Sequence, residues 1–220
     1  MIKLMKLNLI LFYFLGITCF VFSAAKEEPT TITGDRMKIL SKGDVMEFIG
    51  NVRFTQRNME IIADEMKSND KNGEITGKGN INIIYSSGTI RAHGWADNAE
   101  YNKNTGSGIF YGNVKMKRLL TDNTTNVINM TCDKLEMSDF GDKFHAVKNV
   151  RIFQEDAEML SDEAFYDQNS DEITLLGGPP KIIRADEKNY SEYTGDKIIL
   201  SLSKEILTIL GNVKSKMIMK

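Results

Sequence analysis

A short motif, Gly-Asn-Val, occurs three times in this chain, beginning at Gly50, Gly112 and Gly211. Each copy follows an aspartate by 15 residues, and three degenerate copies keep the same interval. The six pairs are Asp35–Gly50, Asp64–Gly79, Asp97–Gly112, Asp133–Lys148, Asp162–Gly177 and Asp196–Gly211. Successive aspartates are 29 to 36 residues apart, so insertions accumulate between units while the interior of each unit keeps one length. A fixed interval of this kind is typical of proteins built from repeated supersecondary units.

The residues that follow each aspartate alternate between apolar and polar. After Asp35, for example, Met37 and Ile39 are apolar and their neighbours are charged. Turn-forming stretches such as NDKNG and NKNTG come next, and a second apolar run then returns. Alternation with period two is typical of a half-buried strand, and a short turn between two such runs predicts an antiparallel hairpin. Helical periodicity is absent after residue 25, so the chain is predicted to be all-β.

The glycine that closes each interval is predicted to be a corner of the repeated unit. Glycine has no Cβ and accepts the backbone angles of a bend or bulge, and a following asparagine can bond nearby backbone. The predicted corners are Gly50, Gly79, Gly112, Gly177 and Gly211. The fourth unit has Lys148 instead, and Pro179 and Pro180 replace Asn-Val in the fifth, which predicts a kinked or edge strand there. The aspartate column is interpreted as structural.

Stacked hairpins with corners build two facing sheets joined along one seam. Their inner faces carry Met, Ile, Leu, Phe, Val and Tyr. If the two sheets pack against each other, the interior is an ordinary hydrophobic core. If they stay apart along one edge, the interior is a long apolar trough. The periodicity does not choose between these two alternatives.

The first 25 residues differ from the rest. They combine a basic start, a run of 16 mainly apolar residues and a small-residue site ending in Ala25. This is the pattern of a secretory signal peptide, so residues 1–25 are predicted to direct export and residues 26–220 to form the β domain. The alternative is an uncleaved membrane anchor, although the apolar run is short for a span. Cys132, the one cysteine after the leader, is interpreted as a small buried hydrophobe.

Composition and motifs argue against several functions. The formal net charge is −2 without a basic stripe, so nucleic acid is not an expected partner. His93 and His145 are the only histidines and lie in different units, and no metal-binding Cys/His spacing, nucleophile motif or phosphate loop is present. The chain is therefore not expected to be an enzyme or to need a metal or cofactor.

The unit ITGDRMKIL…MEFIGNVRFTQRNMEIIADEM resembles the OstA-like repeat of the lipopolysaccharide transport proteins, the family of LptA, LptC and the periplasmic part of LptD. The resemblance covers about residues 32–217. It implies an open antiparallel β-jellyroll in the periplasm, a folded two-sheet groove that shelters lipopolysaccharide acyl chains. It also implies docking to LptC-like and LptD-like jellyroll domains, with head-to-tail self-association through unpaired edge strands.

On this resemblance, the inward columns become lipid-binding candidates. They are Met37, Ile39, Phe48, Val52, Phe54, Met66, Ile81, Ile83, Tyr101, Phe110, Val114, Met116, Leu135 and Met137. Twelve to eighteen strands divided between two sheets predict a trough of roughly 30–45 Å at about 4.8 Å per strand. Two other hypotheses stay open: an LptC-like component anchored in the inner membrane, and an envelope scaffold with a closed core and no ligand.

Overall fold

The computed structural model describes residues 29–88, 90–120, 127–185 and 189–219, so the predicted leader lies outside the described residues. Sixteen strands make up this part of the chain. They are β1 Thr31–Thr33, β2 Arg36–Leu40, β3 Val45–Gln56, β4 Met59–Asn69, β5 Glu74–Ser87, β6 Ile90–Asn102, β7 Ser107–Leu120, β8 Val127–Ser138, β9 Lys143–Gln154, β10 Ala157–Asp167, β11 Glu172–Leu176, β12 Lys181–Ala185, β13 Asn189–Thr194, β14 Lys197–Ser201, β15 Ile206–Leu210 and β16 Lys214–Met219. The only helical segments among the described residues are single 3-10 turns at Ser41–Gly43 and Asp139–Gly141. The predicted all-β class is confirmed.

All sixteen strands belong to one antiparallel sheet, and the eight long strands β3 to β10 follow one another in chain order as hydrogen-bonded neighbours. Each long strand is interrupted near its middle. In the β3–β4 pair, Ile49 faces Glu65 and Val52 faces Ala63, so two residues, Gly50 and Asn51, oppose the single residue Asp64. The same register shift recurs in every pair from β3–β4 to β9–β10. A row of bulges therefore crosses the sheet and forms a seam along which it folds.

The seam is built from two consecutive residues in the left-handed backbone region. Gly50 has φ +80° and Asn51 +47°, and the other five corners repeat this pair of positive angles. At five of the six corners the asparagine amide donates to the aspartate 16 residues earlier. These bonds are Asn51–Asp35 2.9 Å, Asn80–Asp64 2.8 Å, Asn113–Asp97 2.8 Å, Asn149–Asp133 3.0 Å and Asn212–Asp196 2.9 Å. The fixed interval of the sequence thus sets the corner so that, in five of the six units, the residue that follows it bonds the unit's own aspartate.

At both ends of the sheet the long strands give way to pairs of short ones. One half of β3 pairs with β2 and the other half with β1. At the far end, β10 pairs with β11 through one half and with β12 through the other. Pro179 and Pro180 lie in the break between β11 and β12, where a missing N–H is tolerated.

Two leaves result, and we name them by the short strands they contain. The first leaf holds β2, β11, β14 and β15, the second holds β1, β12, β13 and β16, and each also holds one half of β3 to β10. This is the expected folded two-sheet jellyroll, open because β1 and β2 at one end are not paired with β15 and β16 at the other. Each leaf has twelve strand segments, so it is about 50 Å long at roughly 4.8 Å per strand. The trough length expected from the sequence was too short, because each long strand crosses the seam and contributes a segment to both leaves.

The two inner faces pack against each other in one continuous apolar cluster that runs from Phe48 on β3 to Ile198 on β14. Phe54 is fully buried on the second leaf and Phe110 almost so on the first. Cys132 lies in the same cluster. Among the described residues, no helix has the length and apolar character needed to cross a membrane.

Candidate functional site

The space between the leaves is the candidate site, because it is where most of the lipid-binding candidates lie. Eleven of them are buried there: Phe48, Val52, Phe54, Met66, Ile81, Ile83, Tyr101, Phe110, Val114, Leu135 and Met137. Met116 is partly buried against the same cluster. Met37 and Ile39 are different, since 56% and 59% of their surface is exposed at the β2 end of the sheet. They lack cover because β2 is an edge strand with no further strand stacked beyond it.

Among the described residues, the interior contains a small apolar cavity of about 70 Å³ and is otherwise closely packed. Its lining includes Met116, Ile128, Met130, Ile152 and Ile173. An apolar cavity of roughly 150 Å³ is known to accept a benzene molecule, so this one is too small for an acyl chain as it stands. The closed-core alternative therefore describes the resting interior, and a guest would have to part the leaves.

The edge opposite the seam, where hairpin turns of the two leaves face each other, is here called the mouth. Near the N-terminal end, the Gln56 side-chain amide donates to the backbone oxygen of Lys103 at 2.9 Å and accepts from the Tyr101 hydroxyl at 2.7 Å. The guanidinium of Arg57 lies 3.8 Å from the centre of the Phe140 ring. These contacts join the second leaf to turns of the first leaf.

The same pattern continues along the middle of the mouth. The Tyr85 hydroxyl lies 3.2 Å from Oδ1 of Asp142 and 3.1 Å from Oε1 of Gln168. Nε2 of Gln168 donates to the Ser87 hydroxyl at 3.2 Å. Tyr85 and Ser87 are on the second leaf, whereas Asp142 and Gln168 are on turns of the first. A row of neutral and charged hydrogen bonds therefore holds the mouth shut.

Arg118 closes the next part of the mouth. Its Nη2 lies 3.0 Å from Oδ1 of Asp171, and the Tyr166 hydroxyl is 3.2 Å from the same oxygen. The guanidinium lies 5.5 Å from the centre of the Tyr166 ring. Burial raises the pKa of Tyr166 to about 12, as it does for Tyr101, so both hydroxyls are protonated donors at neutral pH.

Arg118 is not among the site residues predicted from the sequence, although the sequence carries a signal for it. The inward column of β7 runs Val114, Met116 and then, two residues on, Arg118. A charged residue in an apolar column is the kind of exception that marks a site. The predicted inward column ends at Met116, two residues before Arg118.

A shallow trough of about 950 Å³ lies on the outer face of the first leaf, between β5 and β11. His145 lies there between two carboxylates, with Nδ1 3.1 Å from Glu136 and Nε2 2.9 Å from Glu163. Its ring stacks on Phe165 at 4.0 Å. The described residues contain no cluster of His, Cys, Asp and Glu arranged to hold a metal ion.

Both ends of the sheet expose apolar side chains as well as unpaired strand edges. Met37 and Ile39 do so at the N-terminal end. At the C-terminal end, the exposed residues are Ile206, Leu207, Leu210, Val213, Met217 and Ile218. The apolar interior therefore reaches the surface at its two ends, whereas the mouth is closed.

Comparison with known proteins identifies the repeat. Residues 31–134 match the family model of the LptA/(LptD N-terminal domain) LPS transport protein. No curated protein matches the chain. Among solved structures, the chain is similar to LptH of Pseudomonas aeruginosa, the LptA homologous periplasmic component of the conserved lipopolysaccharide transport device. That similarity has 10% sequence identity and a TM-score of 0.28, and it covers 88% of this chain and 96% of LptH.

The family match begins at the first strand and ends just past the middle of β8. It includes three complete corner units with their aspartates, glycines and asparagines. The repeat, the antiparallel strands and the folded sheet agree with that match. Residues 31–134 are therefore similar in sequence to the LptA/(LptD N-terminal domain) LPS transport proteins.

Proposed function

We propose that this protein is a periplasmic carrier that moves lipopolysaccharide between the two membranes by sheltering its acyl chains between the leaves. The observation that carries the proposal is the continuous apolar interior, which reaches exposed apolar residues at both ends of the sheet. A chain of a dozen methylenes left in water costs on the order of 10 kcal/mol, at about 0.8 kcal/mol for each CH₂. A lipid with several chains therefore needs a covered apolar path through an aqueous compartment.

The inward side chains are the proposed contacts with lipid. Methionines such as Met66, Met116 and Met137 suit this role because an unbranched, polarizable side chain adapts to irregular acyl packing. Since the resting cavity is small, the leaves must separate at the mouth to admit a chain. The seam stays intact during this movement, because its bonds join residues of one unit.

Photocrosslinking to labelled lipopolysaccharide tests the carrier function. A photoreactive phenylalanine analogue is placed at Phe54, Phe110 or Met137, which face the interior. The matched controls are Tyr111 and Phe153, which are 37% exposed on the outer faces. We expect crosslinks from the three inward positions and none from the controls. Crosslinks from the outer positions alone would reject the groove as the binding site.

The envelope scaffold remains a second candidate, because the interior is filled and its cavity is small. A scaffold predicts the same strands but no lipid inside. Mass spectrometry of acyl chains extracted from the protein, purified without detergent, separates the two functions. Absence of acyl chains under several growth conditions favours the scaffold.

Docking to LptC-like and LptD-like domains and to further copies of this chain is proposed to use the two open sheet edges. An unpaired edge offers free backbone donors and acceptors for strand addition. Replacement of Met37 and Ile39 by glutamate should weaken self-association measured by analytical ultracentrifugation. Export by residues 1–25, or anchoring by them, is decided by sequencing the N-terminus of the protein from periplasmic and membrane fractions.

A further inference from the structure

Arg118 is the only charged residue among the sixteen that line the interior cavity. Its side chain is 11% exposed, so most of it is withdrawn from water. Tyr85, Tyr166 and Gln168 line the cavity beside it on the mouth side. A single cation thus lies where an apolar cavity meets the polar row of the mouth.

The hydrogen-bonding capacity of Arg118 is only partly used. A guanidinium carries five N–H donors in a planar fork. One carboxylate oxygen of Asp171 lies 3.0 Å from Nη2, while the Nε–H is buried and has no hydrogen-bond partner among the described residues. A buried donor without a partner is unfavourable, and two parallel donors on one guanidinium edge match the oxygens of a phosphate. The closed mouth therefore leaves part of a phosphate-binding fork unoccupied.

We propose that Arg118 binds the phosphate of a lipid headgroup while the lipid's acyl chain enters the cavity, and that the phosphate replaces Asp171 on the guanidinium. This inference rests on the proposed carrier function and adds to it the side chain that receives the headgroup phosphate. The position of Arg118 favours a lipid over free phosphate, because methylenes of a bound chain would lie against Met116 and Ile128 in the same cavity.

The exchange also links binding to opening. Asp171 ends the turn that follows β10, and Gln168 in the same turn bonds Tyr85 and Ser87 of the opposite leaf. When the phosphate binds the Arg118 guanidinium in place of Asp171, this turn loses its ion pair across the mouth. Headgroup capture by Arg118 thereby weakens the closure that keeps the chain out.

The test compares two fluorescent lipids that share one twelve-carbon chain: a lysophosphatidic acid, which has a phosphate, and a monoacylglycerol, which has none. Each is titrated into the full-chain protein and into the variants Arg118→Gln, Arg118→Lys, Asp171→Asn and Arg151→Gln. Arg151 is the matched control, since it pairs with Glu158 on the outer face of the second leaf. Circular dichroism and thermal melts establish that each variant is folded.

We expect the wild type to bind the phosphate lipid at least tenfold more tightly than the monoacylglycerol. Arg118→Gln should remove that preference and change monoacylglycerol binding less than twofold. Arg118→Lys keeps the charge without the fork, so it should keep part of the preference and remains informative if Arg118→Gln does not fold. Asp171→Asn should bind the phosphate lipid several-fold more tightly, because the competing carboxylate is gone.

The proposal is overturned if Arg118→Gln weakens both lipids equally, since Arg118 then acts only through packing. It is also overturned if Arg118→Lys retains the full preference, or if Arg151→Gln removes it. Inorganic phosphate alone, added in large excess, should not displace the phosphate lipid; displacement would mean a free-phosphate site. If the wild type binds neither lipid, the carrier function itself fails, which is a different result from loss of the headgroup preference.

Discussion

Replacement of Lys148 by glycine is expected to stabilise the protein. Lys148 has φ +63° at a seam position where the other five units place a glycine with φ between +66° and +80°. The left-handed region costs a residue with a side chain roughly 1–2 kcal/mol. Glycine loses more backbone entropy on folding than lysine does, which reduces the gain in stability by roughly 0.5–1 kcal/mol. Since Lys148 is exposed and its loss removes little packing, the net gain should be about 0.5–1 kcal/mol.

Urea unfolding followed by circular dichroism measures this gain as a higher midpoint with an unchanged slope. In a thermal melt it corresponds to a rise of roughly 1–4 °C for a chain of this size. The matched control is Gly112→Ala, where a Cβ would lie 2.6 Å from Oδ2 of Asp97. This control should destabilise the protein by about 2 kcal/mol or more, from backbone strain and the clash together. A lower midpoint for Lys148→Gly, or a tolerated Gly112→Ala, would contradict the account of the seam.

Three further outcomes are expected. Asn113→Ala removes the amide that donates to Asp97 at 2.8 Å on an exposed corner, so urea unfolding should show a loss of about 0.5–1.5 kcal/mol. Phe54→Ala empties a fully buried position and should cost about 3–5 kcal/mol in the same assay, whereas Tyr111→Ala on the outer face should cost far less. Burial raises the pKa of the Cys132 thiol to about 11, above its usual 9.0. Its thiolate is therefore disfavoured in the folded state, so this thiol's contribution to stability is intact below pH 9 and is lost as pH rises toward 11. The peptide containing Cys132 should be alkylated at pH 8 only after unfolding, and rapid alkylation of the native protein would show that the cluster opens.

The strands and corners were predictable because both depend on local chemistry. Alternation after each aspartate indicated a half-buried strand, and a glycine at a fixed distance indicated a bulge; both are statements about neighbouring residues. The bond between Asp35 and Asn51 was not predicted, because the asparagine was expected to bond nearby backbone, whereas its amide donates to the carboxylate 16 residues earlier. The fold into two sheets along one seam was also predicted, but the assignment of each short end strand to one leaf was not, because it depends on which half of β3 or β10 that strand pairs with.

The mouth was beyond prediction from this sequence for a different reason. Its contacts join residues that are far apart, such as Tyr85 with Gln168 and Arg118 with Asp171, which are 83 and 53 positions apart. No periodicity relates these pairs, since the turns that carry them differ in length and composition. Met37 and Ile39 share the inward face with their partners Phe48 and Met46, but they are exposed because β2 is an end strand, and a repeat pattern does not reveal which unit lies at the end of the sheet.

Each bond between aspartate and asparagine at the seam joins two residues of one unit, 16 positions apart. A duplicated unit inserted between two others would therefore contain its own bond between aspartate and asparagine and would leave the existing bonds intact. Every added unit contributes two strand segments to each leaf and would lengthen the conduit by roughly 10 Å. The length of such a protein can thus evolve in steps by duplication of one unit, while the packing between the two leaves stays the same.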